Sequence, residues 1–128
     1  MKIAYLNDLH IDSWIKFNNN ENKNRKKIEE FINTIFSKSE KECLEAEILV
    51  IAGDISHHNS ISKLTIEIFS KYFNKVYVVL GNHDYYLISK TQLRKYKANS
   101  LNRIIELNDM LADNCLLYTS LMARGRRV

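Results

Sequence analysis

Proline is missing from this 128-residue chain, and only three glycines are present. Glycine is thus the residue left to let the backbone turn sharply or approach another group closely. Two of the three, Gly53 and Gly81, stand directly before the candidate ligands Asp54 and Asn82. Cysteine is nearly as scarce. Cys43 and Cys115 lie far apart and follow no metal-ligand spacing. This argues against a structural zinc site and for two reduced thiols in a cytoplasmic protein. No apolar run approaches the roughly 20 residues that a helix needs to cross a bilayer, so no membrane partner is expected. Met1-Lys2 leads straight into a strand-like run, without the long apolar stretch or small-residue cleavage site of a secretory signal.

Charge of one sign is also in short supply. There are 19 Lys and Arg against 15 Asp and Glu, a net charge of +4. Arg124, Arg126 and Arg127 sit at the very end, and without them the balance is 16 against 15. The high pI therefore belongs to the tail, and so small an excess gives no argument for a nucleic-acid partner. What remains is ordinary for a soluble globular protein, 45% apolar and 27% charged. The length fits one domain or a piece of one, able to bury roughly two-thirds of its unfolded surface.

Three short apolar runs each end in a cluster of metal-binding side chains. Ile3-Ala4-Tyr5-Leu6 runs into Asp8 and His10, Ile48-Leu49-Val50-Ile51-Ala52 into Gly53-Asp54, and Val76-Tyr77-Val78-Val79-Leu80 into Gly81-Asn82-His83-Asp84. Open α/β sheets carry their chemistry beyond the carboxyl ends of their strands. The runs predict strands over 2–7, 47–52 and 75–80, the first short enough to be buried on both faces. Ile28, Phe31, Ile32, Ile35 and Phe36 form an apolar stripe that predicts a helix over 25–43, with charge on its other face. A second helix is expected over 61–73, capped by Ser60, and one or two short helices within 89–111. Residues 11–24 and 55–60 read as loops, and 115–119 as a fourth strand. The alternation of strand and helix predicts an α/β fold with a mainly parallel sheet and helical crossovers.

In an extended segment, side chains at i and i+2 point the same way, so Asp8 and His10 could reach one ion. Asp54 offers a hard carboxylate and Asn82 a neutral amide oxygen. His83, next to a ligand, could face a substrate. Such a donor set suits first-row divalent ions. Other residues have plainer readings. His57 and His58 are read as polar loop residues that could line the cleft, Asp12 as a turn or supporting group, and Trp14 as packing beneath its loop. Tyr85 and Tyr86 could equally pack or line a cleft.

Taken in order, Asp8-Leu9-His10, Gly53-Asp54 and Gly81-Asn82-His83-Asp84 resemble the first three motifs of the calcineurin-like metallophosphoesterases. The resemblance covers residues 1 to about 86. It implies an α/β/β/α sandwich of two sheets with helices outside, and two divalent ions, drawn from Mn, Fe, Zn, Ni and Co, at the strand ends. It implies that Asp8 and His10 hold the first ion, Asp54 bridges both and Asn82 holds the second. His83 would act on the phosphoryl group and Asp84 would orient His83. The implied activity is hydrolysis of a phosphoester, because two ions about 3.5–4 Å apart can clamp the attacking and leaving oxygens of an in-line displacement.

The family also carries a later histidine and a Gly-His-x-His motif, and here no histidine follows His83. The chain is accordingly read as the N-terminal half of a longer enzyme, inactive or weakly active by itself. Residues 1–119 are taken as a partial phosphoesterase domain, and 120–128 as a basic tail whose native origin is left open. Two other readings stand beside this one: a scaffold or regulatory module with the same fold, and the nuclease domain of a DNA-repair complex.

Overall fold

Each apolar run forms a strand whose β-branched and aromatic residues suit a pleated surface. The computed structural model describes residues 1–39, 41–113 and 120–122. Its strands are β1 (Ile3–Asn7), β2 (Ile48–Ala52), β3 (Lys75–Leu80) and β4 (Ser120–Met122). They form one parallel sheet in the order β1-β2-β3-β4. Asn7 pairs with Ala52, and Ala52 with Val79, so the first three strands finish level with one another. The three segments that carry the candidate ligands therefore leave the sheet at one rim.

The crossovers are helical. α1 (Glu21–Lys38) and the short α2 (Lys41–Leu44) link β1 to β2. α3 (Asn59–Phe69) links β2 to β3, and α4 (Lys90–Lys95) and α5 (Ser100–Asp113) follow β3. Each new strand is added on the same side of the last. Right-handed crossovers then fall on one face of the sheet. That face supplies Leu49, Ile51, Val76 and Val78, which join Ile28 and Ile32 of α1 and Ile66 and Ile68 of α3 in a single core. No helix among the described residues is long and apolar enough to cross a membrane.

The helical expectations shift at their ends. The helix expected over 25–43 divides into α1 and α2, and α1 begins four residues early because the Asn20 side chain accepts from Lys23 N–H at 3.0 Å. Asn24 is buried and bonds both ways to the Asn18 backbone, so the asparagine cluster is capping chemistry rather than open loop. Ser60 lies inside the first turn of α3, whose cap is His58, with no side-chain cap bond. Residues 11–24 include a 3₁₀ turn at Ile11–Ser13. β1 is corrected from a strand buried on both faces to a sheet edge, with Ile3 59% and Tyr5 79% exposed. Trp14 does not pack beneath its loop: it is 70% exposed and stacks on Phe31, with ring centroids 6.3 Å apart. The strand expected over 115–119 lies outside the described residues. Ser120–Met122, expected in the basic tail, pair with Val78–Leu80.

The ends of β2 and β3 approach closely through the two glycines. Gly53 takes φ +80°, and a Cβ there would stand 3.1 Å from Gly81 Cα. A Cβ on Gly81 would stand 2.3 Å from Asp54 Oδ1. Glycine at 81 thus makes room for the Asp54 carboxylate. Gly81→Ala should destabilise the fold by about 1–3 kcal/mol through overpacking, read as a lower urea midpoint at unchanged slope. A midpoint equal to wild type would contradict the close approach.

Candidate metal centre

The backbone at the rim is unusual before any side chain is considered. Asp8, His10 and Asp54 have φ of +49°, +43° and +54°. Non-glycine residues seldom occupy this left-handed region, which persists only where the surroundings hold it. Here two bonds do so: His10 N–H donates to Asp54 C=O at 2.8 Å, and Ile11 N–H to Ile55 C=O at 2.9 Å. The segments after β1 and β2 are laced together just past the sheet.

The Asp54 side chain is buried at the junction. Its Oδ1 accepts from His83 N–H at 2.8 Å, and its Oδ2 lies 3.8 Å from His10 Nε2. One donor atom each from His10, Asp54 and His83 fall within 4.8 Å of one another. The His10 and His83 rings meet edge to face at 4.9 Å, His57 approaches His83 at 5.4 Å, and Tyr86 at 4.7 Å. The Nδ1 atoms of His57 and His83 are buried without a hydrogen-bond partner. A carboxylate, imidazoles and orphaned ring nitrogens together fit a first-row divalent cation. Two clefts of about 440 and 400 Å³ meet at Ser60 and Met110, and neither is lined by the triad, which sits on the open rim.

The profile of the calcineurin-like phosphoesterases matches residues 1–124. The chain belongs to this family. Among curated proteins none matches this calcineurin-like phosphoesterase. Among solved structures it is similar to a phosphopantetheinyl hydrolase from Mycobacterium tuberculosis, with 17% identity and a TM-score of 0.53. The alignment covers 91% of this chain and 34% of that one, so the chain spans about a third of its neighbour's length. At that identity the likeness concerns the fold alone.

In this chain the expected ligand set gathers only in part. His10 and Asp54 come together as expected, and His83 joins them. Asp8 is exposed, its nearest side-chain partner being Asn7 Nδ2 at 3.5 Å, and it is outside the triad. The i, i+2 argument failed because Asp8 and His10 are left-handed rather than extended. Asn82 opens a 3₁₀ turn (Asn82–Asp84), is exposed, and donates through Nδ2 to the Tyr86 hydroxyl at 3.0 Å. Asp84 is corrected more sharply. Its carboxylate does not orient the His83 ring but accepts from three backbone amides: Gly81 and Asp54 at 2.8 Å and Ile55 at 3.1 Å. Burial pushes its pKa above the ordinary 3.8, and the three amide bonds oppose that rise in part.

Asp12 proves to be a supporting group. It accepts from Ser56 Oγ at 3.0 Å and from His57 N–H at 2.6 Å. His57 lies nearer the centre than a plain loop residue would, as its contact with His83 shows. His58 does not reach the triad: its Nδ1 lies 3.4 Å from Gln92 Nε2. Sequence reasoning missed Arg103 altogether. The only available signal was an arginine at an i−1 position beside the apolar Ile104, too common to notice.

Burial holds the His57 imidazole below its ordinary pKa of 6.5, against the attraction of the Asp12 carboxylate. The unfolded chain thus binds the proton more readily. Stability contributed by neutral His57 is complete above pH 6.5 and lost as pH falls through the lowered native value. The difference in unfolding free energy between wild type and His57→Asn should shrink as pH is lowered from about 7.5 to 5. Urea titrations at each pH would check this, and a difference that grows toward acid would contradict the assignment.

Proposed function

We propose that this chain holds the metal-binding part of a hydrolase that cleaves phosphoester bonds at two divalent ions. The supporting observation is the convergence of His10, Asp54 and His83 where β1, β2 and β3 end level. Asp54 suits a bridging role because one carboxylate offers two oxygens, and it is nearly buried in a fixed orientation. His10 lies against Asp54 Oδ2 and would hold one ion, with Asp8 as its neighbour on the same segment. Asn82 has its amide nitrogen engaged by Tyr86, which leaves the amide oxygen to serve the other ion.

When bound, two such ions supply Lewis-acid polarisation of the phosphoryl group and acidify water. The chain's own residues do the rest. His83 has Nδ1 buried, so Nε2 is the atom that meets the substrate and carries a proton to the departing oxygen. Its backbone bond to Asp54 keeps that ring at the bridging carboxylate. Asp84 holds Asp54, Ile55 and Gly81 by their amides, so the site is preorganised rather than assembled on binding. Manganese is the natural first probe for this donor set.

With bis(p-nitrophenyl) phosphate and Mn²⁺, Asp54→Asn and His83→Ala should each lower kcat/KM by about 100-fold or more. Calorimetry should show weakened Mn²⁺ binding for Asp54→Asn. Full activity in the double variant would refute the assigned roles, and absence of any Mn²⁺ binding to wild type would favour a scaffold.

A further inference from the structure

Arg103, on α5, is 0% exposed. Its hydrogen bonds run to neutral oxygens. Nε donates to Asn59 Oδ1 at 3.1 Å, one terminal nitrogen to the carbonyls of His83 and Tyr86 at 2.8 and 3.0 Å, and the other to the Ser56 carbonyl at 2.8 Å. A buried cation held this way is costly, and a lysine could not meet four acceptors in one plane. The acceptors are also not scattered. Ser56 follows Asp54 by two residues, and His83 and Tyr86 bracket the turn that carries Asp84. Asn59 in turn donates to the Arg103 carbonyl at 2.7 Å and to Glu106 at 3.0 Å, so the guanidinium is itself anchored.

Asp84 grips the same two segments at other peptide groups, through their N–H. It accepts the amides of Asp54 and Ile55 after β2, and of Gly81 after β3. One buried anion thus ties the segments through N–H and one buried cation ties them through C=O. Burial holds the Arg103 pKa below its usual value, and the nearby Asp84 carboxylate opposes that fall. The relation this fixes is the bond from His83 N–H to Asp54 Oδ1.

We propose that Arg103 is a positioning residue of the metal centre: from α5 it sets the spacing between the turns after β2 and β3, and so holds His83 against Asp54. Its consequence for catalysis rests on the hydrolase reading above; its consequence for geometry does not.

The test compares amide hydrogen exchange, by NMR, in wild type, Arg103→Lys, Arg103→Gln and the core variant Ile32→Val. Arg103→Lys keeps the charge without the fork. In both Arg103 variants the His83 amide should exchange at least about tenfold faster relative to the Ile51 and Val78 amides. Ile32→Val, on the far helix α1, should leave that ratio unchanged. Mn²⁺ affinity should fall about tenfold in Arg103→Lys and stay within twofold in Ile32→Val. An unchanged His83 ratio in both Arg103 variants, or an equal rise in Ile32→Val, would make Arg103 a stability residue only and overturn the proposal. If wild type binds no Mn²⁺, the hydrolase reading fails while the exchange ratio still decides the role of Arg103. If neither Arg103 variant folds, wild type decides: Arg103 Nε–H and His83 N–H should exchange with one common urea dependence, and separate dependences overturn the proposal.

Discussion

The Asp84 carboxylate, 1% exposed, organises this molecule's rim. Three peptide N–H groups from two strand ends converge on its two oxygens. Each of those amides has left the sheet ladder and would be unsatisfied in the interior without it, at a cost of about 1–3 kcal/mol apiece. The turn after β3 closes on its own Asp84 and is tied by the same carboxylate to the turn after β2. Everything chemical at the rim follows from that coupling. Asp54 can lie buried because Gly81 leaves space for it, and His83 reaches Asp54 because the 3₁₀ turn brings its amide there.

The left-handed conformations belong to the same account. Asp8, His10 and Asp54 adopt them on segments that have run out of strand partners but still bond to each other. Aspartate tolerates this region better than most residues, as does histidine. A residue on a strained but laced segment cannot relax when a charge arrives or leaves. Preorganisation of this kind favours metal binding and phosphoryl chemistry, where the charges are large and their positions must not drift.

The sheet itself is lopsided. All crossovers cover one face, and the other presents Ile3 and Tyr5 exposed, with Val50, Tyr77 and Val79 half-buried. The two-sheet sandwich implied by the family would set a further layer against such a face. Among the described residues there is one sheet, and its bare face is apolar because alternate residues of every strand are apolar on both sides.

The strands, the helical crossovers and the identity of the histidines and carboxylates were legible in the sequence, because each is a local matter. Short β-branched runs favour strands, a 3.6-residue stripe favours a helix, and two glycines before candidate ligands mark turns. Tertiary structure alone decided which donors meet. Asp8 was expected beside His10 from strand geometry, yet the chain had already left extended conformation there. Asp84 was expected at the His83 ring and instead bonds to amides of its own turn and of the turn after β2. Arg103 carries no local pattern, since its partners lie at separations of 17 to 47 residues. Sequence determines what each segment prefers by itself; which buried charges those segments must share is settled only when they pack, because the cost of an unpaired buried group depends on its neighbours in space.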